Sequence, residues 1–281
     1  MRALVTGATG QDAHYLMKLL KGETFALYRG QEEARLGEFQ HEHPSVYWER
    51  GDITDGPSIS EIVRRVKPDW IFNLAACSYV SLSWRAPDLY MRTNFGGVLN
   101  VLEAARQWVP EAHIIQASTS EMFGNSGGVL NEMSPMRPVS PYGVSKLAAH
   151  HLCRVYRESY GMNVSCAISF NHESPRRPVN FVSRKITQAA ANRQPVTLGN
   201  LDAARDWGFA GDYMEAYILM AASAADDYVI GTGEAHTVAE LAAMAYQAAG
   251  IDNWGEYVHL DDSLQRPKEL AYLRANPSKI H

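Results

Sequence analysis

The chain has 281 residues, 46% of them hydrophobic, enough to bury a full core as one large domain or a domain with a smaller lobe; a disordered or repetitive protein is excluded. A formal charge of −5, from 26 basic and 31 acidic residues, argues against a broad nucleic-acid surface while leaving room for a local basic pocket. Cys77, Cys153 and Cys166 lack metal-ligand spacing, the early glycines leave no signal-peptide core and no apolar run reaches membrane-spanning length, so a cytoplasmic protein with free thiols and no metal is expected.

Arg2 to Thr6 reads as a buried strand, followed by TGATGQDAHYL and a helix with Tyr15, Leu16, Leu19 and Leu20 on one stripe, ended by Gly22. Gly7, Gly10 and Ala13 fall where a phosphate-binding loop needs a tight turn, close backbone approach and close helix packing. A second strand, Thr24 to Tyr28, leads into Arg29 and not into an acid. An arginine there suits a ribose 2′-phosphate, with Arg35 able to assist, so NADP is favoured over NAD; two surface charges are the competing reading. Val46 to Glu49 is a third strand, after which Asp52 can accept from an adenine amino group. Ile59, Ile62, Val63 and Val66 form one helical face before Pro68. Trp70 to Leu74 is a fourth, nearly all-apolar strand running into Ala75, Ala76, Cys77 and Ser78, whose smallness fits either a cofactor passing closely or tight packing. A long helix around Tyr90 to Arg106, with Asn94 and Gly97, precedes a fifth strand, His113 to Ala117. This alternation predicts an α/β fold, a doubly wound parallel Rossmann sheet with a smaller C-terminal substrate-binding lobe.

Ligands bind beyond the carboxyl ends of such strands, and Ser118, Thr119 and Glu121 follow the fifth one there. Ser140 and Pro141 then signal a helix start that places Tyr142 and Lys146 on one face, where the ammonium should draw the phenol toward phenolate and let it act as a base. A Tyr–Lys pair alone is common; its position makes it a candidate active site. Val164 to Phe170 is a sixth strand, after which Arg176, Arg177, Arg184 and Lys185 form a basic cluster suited to phosphate or to solvent. Arg205 beside Trp207, a helix from Met214 to Ala224, a strand from Tyr228 to Ile230, a capping box from Thr237 to Glu240 and Arg266-Pro267-Lys268-Glu269 complete the chain. Residues 1–170 are expected to form the nucleotide-binding domain and 171–281 mainly the lobe, some segments returning to the first.

The blocks TGATGQD, QASTSEMFG, FNHESPRR, NFVSRKI, LGNLDAARDWGFAGDY and RPKEL, in this order along the chain, resemble the GDP-mannose 4,6-dehydratase family of extended short-chain dehydrogenases/reductases. FNHESPRR with RDWGFAGDY is the narrowest signature. The resemblance implies a redox-neutral dehydration of a GDP-sugar with NADP retained. In it Tyr142 takes the C4 hydroxyl proton, Glu121 takes the C5 proton, Thr119 hydrogen-bonds the sugar and Lys146 supports the phenol and the cofactor. Cofactor contacts are implied at Gly7, Thr9, Gly10, Gln11, Asp12, Arg29, Asp52, Ile53, Leu74, Ala75, Ala76, Ser78, Tyr90, Lys146, His172 and Arg177. Substrate contacts are implied at Asn171, Val182, Lys185, Arg205, Arg266 and Glu269, with a homo-dimer or homo-tetramer as the assembly. RGQEEARLGEF, after the second strand, is shorter and less basic than the family's loop, which bears on NADP preference and on tetramer formation. An NADPH-dependent reductase of the 4-keto product would share the glycine loop and Tyr–Lys pair but has no need of Glu121; a non-catalytic NADP-binding module would not need the four side chains together.

Overall fold

In the computed structural model the described residues are 1–30 and 33–280; Gln31 and Glu32 of the RGQEEARLGEF segment, and His281, lie outside them, as do the side chains of Glu33 and Ala34. Among the described residues, β1 (Arg2–Thr6), β2 (Glu23–Tyr28), β3 (Tyr47–Arg50), β4 (Trp70–Asn73), β5 (His113–Ala117), β6 (Val164–Ser169) and β7 (Asp227–Ile230) form one parallel sheet, ordered β7-β6-β5-β4-β1-β2-β3. Adjacent side chains serve opposite faces: Leu4, Ile71 and Ile114 enter one core, Val5, Phe72 and Ile115 the other. This double burial explains why the strands read as nearly continuous apolar runs.

Helices α3 (Gly56–Val66), α4 (Gly97–Trp108) and α5 (Pro141–Tyr160) cover the first face; α1 (Gln11–Leu19), α2 (Glu33–Glu42) and α7 (Ala210–Ala221) cover the second, with α6 (Val182–Ala191) and α8 (Val238–Ala248) in the lobe. In α3, Ile59, Ile62, Val63 and Val66 are buried on one stripe, each contributing about 1.5–3 kcal/mol by leaving water. Asp55 caps this helix through Ser58 N, and Lys67 ends it in the left-handed region.

The helix expected from Tyr90 to Arg106 is built differently. Pro87–Tyr90 is a short turn, Met91–Gly96 is π-helical, and only then does α4 begin. The widened turn accommodates buried Asn94, whose amide accepts from Cys77 N at 2.8 Å and donates to Cys77 O and Ser145 Oγ, both at 3.0 Å. The loop after β4 is thereby pinned to α5. α7 starts at Ala210 and ends at Ala221, earlier at both ends than the expected Met214 to Ala224, its first turn following directly on the strand Trp207–Phe209.

The lobe core gathers Ile186 and Ala190 from α6, Val238, Ala242 and Tyr246 from α8, and Val196 and Leu198. Val196–Leu198 pairs with Val258–Leu260, and Ala204–Arg205 lies between His236–Thr237 and Tyr272–Ala275. Thr237 caps α8 with the reciprocal capping box to Glu240. α7 and β7, by contrast, pack on and extend the large sheet. Sheet order reverses between β1 and β4, opening a crevice at their carboxyl ends.

Candidate active site

The candidate catalytic side chains come from the turn after β5 and the first two turns of α5. Ser140 Oγ accepts from Gly143 N at 3.0 Å and Pro141 occupies the first turn, fixing where α5 begins. Tyr142 and Lys146 follow four residues apart, both buried. Gly143 allows the close approach: a Cβ there would stand 2.9 Å from Pro138 Cβ and 3.1 Å from the Glu121 carbonyl. On the facing side, extended Thr119 caps the 3₁₀ turn Ser120–Phe123, its hydroxyl accepting from Glu121 N at 3.3 Å.

Burial dominates the electrostatics. It pushes Tyr142 up to about 12, against a hydrogen bond from Thr119 and the charge of Arg177. The downward pull expected from Lys146 is therefore not what governs the phenol. The ammonium instead donates to the Ala117 carbonyl at 2.6 Å, and burial draws it down to about 8. Glu121 is raised, chiefly by burial and against the charges of Arg266 and Arg205. Arg266 Nη1 lies 3.7 Å from its carboxylate. A buried phenol and a buried, raised carboxyl make a site equipped for two proton transfers.

A cleft of about 490 Å³ joins this centre to the glycine loop. Gly7 has φ +67°, and a Cβ on it would lie 2.9 Å from Ala75 N and Cα, so the loops after β1 and β4 touch backbone to backbone. Gly10, Gln11 and Asp12 bring the N-terminus of α1 to the cleft, where bared amides can take a phosphate. Asp12 is held at about 2: burial opposes its charge, but His172 Nε2 at 3.1 Å and the Gln11 amide at 3.1 Å outweigh it. His172 is correspondingly raised by Asp12 against burial, accepts or donates at the Phe170 carbonyl, and stacks on Tyr213. This glycine cradle beside a helix N-terminus fits a dinucleotide.

Gly7, Thr9, Gly10, Gln11, Asp12, Arg29, Asp52, Ile53, Leu74, Ala75, Ala76, Ser78, Lys146, His172 and Arg177 line this cleft, with Thr119, Glu121 and Tyr142. So do Asn171, Val182, Lys185, Arg205, Arg266 and Glu269. Tyr90 differs from the expectation: it is packed in the core edge-on to Tyr142, its hydroxyl bonded to the Tyr79 carbonyl. The basic cluster also divides. Arg177 and Lys185 face the cleft, Lys185 donating to the Thr197 carbonyl at 2.6 Å, whereas Arg176 turns to Glu38 and Glu42 on α2. These carboxylates lie more than a hundred residues earlier, beyond the reach of local sequence pattern. Sequence reasoning missed Arg50, which ends β3 as Arg29 follows β2 and shares a recess with it. The strand-end rule could have found it. Tyr217 of α7 was missed too; it lines the cleft with its hydroxyl 3.1 Å from Ser169 Oγ, and an apolar helix pattern gives no hint of that.

The model of the family described as GDP-mannose 4,6 dehydratase matches residues 4–281. GDP-mannose 4,6 dehydratase 2 of Arabidopsis thaliana is 39% identical over 298 residues, covering 99% of this chain and 80% of that protein. The GDP-mannose 4,6 dehydratase of Homo sapiens is 37% identical over 313 residues, covering 99% and 84%. Among solved structures, a UDP-glucose 4-epimerase of Thermus thermophilus in complex with NAD superposes with a TM-score of 0.88 at 29% identity, covering 100% of this chain and 92% of that one. A dTDP-glucose 4,6-dehydratase double mutant of Streptomyces venezuelae with NAD bound gives 0.90 at 25% identity, covering 100% and 89%.

Proposed function

The chain belongs to the GDP-mannose 4,6-dehydratase family, and from that premise we infer that it converts GDP-mannose to GDP-4-dehydro-6-deoxy-mannose by net redox-neutral dehydration. The observation that carries the reading is the convergence of Tyr142, Lys146, Thr119 and Glu121 on one cleft that also contains the glycine loop. A nicotinamide dinucleotide, when bound, supplies the hydride acceptor for C4 and the donor for C6. Tyr142 as phenolate takes the C4 hydroxyl proton. Its upward shift by burial means that positive charge beyond that of Lys146, from the cofactor side, must favour the anion. Thr119 hydrogen-bonds the reacting sugar. Once C4 is a ketone, C5 is acidic, and Glu121 takes its proton and delivers it to the departing C6 hydroxyl, which leaves as water. As hydride returns to C6, C5 takes up a proton through Glu121, balanced by the one that Tyr142 took from the C4 hydroxyl.

Arg29, Arg35 and Arg50 near the ends of β2 and β3 support NADP in preference to NAD, because arginines grip a 2′-phosphate through paired, charge-assisted hydrogen bonds. Asn171, Val182, Lys185, Arg205, Arg266 and Glu269 serve the nucleotide sugar, so that residues 171–281 act mainly as a substrate lobe, α7 and β7 excepted. A homo-dimer or homo-tetramer is part of the same reading. Among the described residues no helix is long and apolar enough to cross a membrane, in keeping with a cytoplasmic enzyme. Incubation with GDP-mannose and no added NADPH tests the reading: a 4-keto-6-deoxy sugar must form without net cofactor turnover. A 4-keto reductase or a non-catalytic module would leave GDP-mannose unchanged.

A further inference from the structure

Two hydroxyls on the cleft wall are left out of the proton transfers. Ser169 ends β6 and Tyr217 belongs to α7; both are buried, and both line the cleft. Their oxygens lie 3.1 Å apart, and among the described residues neither side chain makes another hydrogen bond. Each hydroxyl carries one hydrogen, and the bond between them uses only one of the two. Whichever donates, one O–H and spare lone pairs remain. A buried hydrogen of this kind is costly to leave unmet.

The place of the pair narrows what meets it. α5, which carries Tyr142, covers the first face of the sheet, and α7 covers the second, so the two tyrosines approach the strand ends from opposite sides. Burial raises the phenol of Tyr217, its hydrogen bond with Ser169 opposes that, and the charges of Asp12 and Tyr142 raise it further. Tyr217 therefore stays a protonated donor, near both the first turn of α1 and the reacting centre. A dinucleotide with its pyrophosphate at α1 and its nicotinamide within hydride reach of a sugar beside Tyr142 brings the ring over the end of β6.

We propose that Tyr217 and Ser169 together receive the carboxamide of the nicotinamide: their free O–H donates to the amide oxygen, and a remaining lone pair accepts from the amide NH₂. The inference rests on the dinucleotide reading of this cleft. A primary amide presents an acceptor and donors side by side, which is the complement of what this hydroxyl pair has to offer. Holding the amide stops the ring from turning about its bond to the ribose, so that one face stays toward the sugar. A hydride that leaves C4 and returns to C6 needs that same face in both steps, and the hydroxyl pair supplies the orientation while the cofactor supplies the chemistry.

The test is calorimetric titration of the full chain, cleared of bound nucleotide, with two matched pairs of ligands: NADP against 2′-phospho-ADP-ribose, and NAD against ADP-ribose. The members of each pair differ only in the nicotinamide. Tyr217→Phe keeps the ring and removes the hydroxyl. It should weaken the nicotinamide-bearing member of whichever pair binds by about 5–15-fold and leave the other member within about 2-fold of wild type, as for one lost neutral hydrogen bond. The unchanged member also shows that the variant is folded. Equal losses in both members, or no loss in either, would overturn the carboxamide contact while leaving the dinucleotide reading intact. If Tyr217→Phe does not fold, the same comparison in Ser169→Ala decides, with the same selective loss expected. A wild-type chain that binds none of the four ligands would overturn both.

Discussion

Replacing Asp206 by asparagine should destabilise the protein strongly, because this buried carboxylate ties three segments beside the cleft. Oδ1 accepts from Thr232 N and Oγ1, both at 2.8 Å; Oδ2 accepts from Gly233 N at 2.9 Å and Ala275 N at 3.1 Å. Asparagine can keep a carbonyl toward only one of these pairs. Its NH₂ then faces either Gly233 N and Ala275 N, which both lose their acceptor, or Thr232, whose hydroxyl can accept while its N–H loses its acceptor. At about 1.5–3 kcal/mol for each hydrogen bond to a charged group, one or two such losses cost about 1.5–6 kcal/mol. That is a large part of the about 5–15 kcal/mol that keeps a domain folded. Urea denaturation would read it as a lowered midpoint at unchanged slope. Exposed Asp202→Asn serves as the control and should stay within about 0.5 kcal/mol of wild type. A loss below about 1 kcal/mol in Asp206→Asn would refute the reasoning, since it would mean that the four bonds are not the ones holding these segments.

Glu121→Gln should cut turnover by about 10²–10⁴-fold while leaving C4 oxidation possible, read by product chromatography; undiminished product contradicts its role. Arg29→Ala should weaken NADP binding by about 10–100-fold, as for a lost charge-assisted contact of about 1.5–3 kcal/mol, and leave NAD binding unchanged. Equal effects on both cofactors would remove the case for a 2′-phosphate site. His14, 3.1 Å from His43 and 3.2 Å from Glu42, is held down at about 4 by burial first and then by the charges of Arg176 and Lys18. Its folded value lies below its unfolded one, so its contribution is complete above about pH 6.5 and is lost, by up to about 3 kcal/mol, as pH falls toward about 4. His14→Gln should flatten the stability-versus-pH slope in that window, and parallel slopes in denaturation series would contradict it.

What the sequence disclosed follows from how local its causes are. The strand and turn into Gly7, the Ser140–Pro141 helix start and the Thr237 capping box are written within a few neighbouring residues, and each is found where expected. The Thr119, Glu121, Tyr142 and Lys146 group was legible because a parallel sheet delivers its strand ends to one edge. The protonation balance was not. A Tyr–Lys spacing tells nothing of burial, which here outweighs neighbouring charge at Tyr142. The diversion of Arg176 to α2 and the Arg205–Glu269–Arg266–Glu121 chain depend on contacts between distant segments. Strands as short as Ala204–Arg205 also carry too little pattern to be read before their partners are known.

The central claim is that one bound nicotinamide removes the hydrogen at C4 of the sugar and gives the same hydrogen back at C6, with Tyr142 and Glu121 moving the protons. GDP-mannose deuterated at C4 tests it most directly, by mass spectrometry and NMR of the product after incubation without added NADPH. The account predicts a 4-keto-6-deoxy sugar with the deuterium on C6, in an amount exceeding the enzyme present. Product lacking the label at C6, or unchanged GDP-mannose, would contradict it.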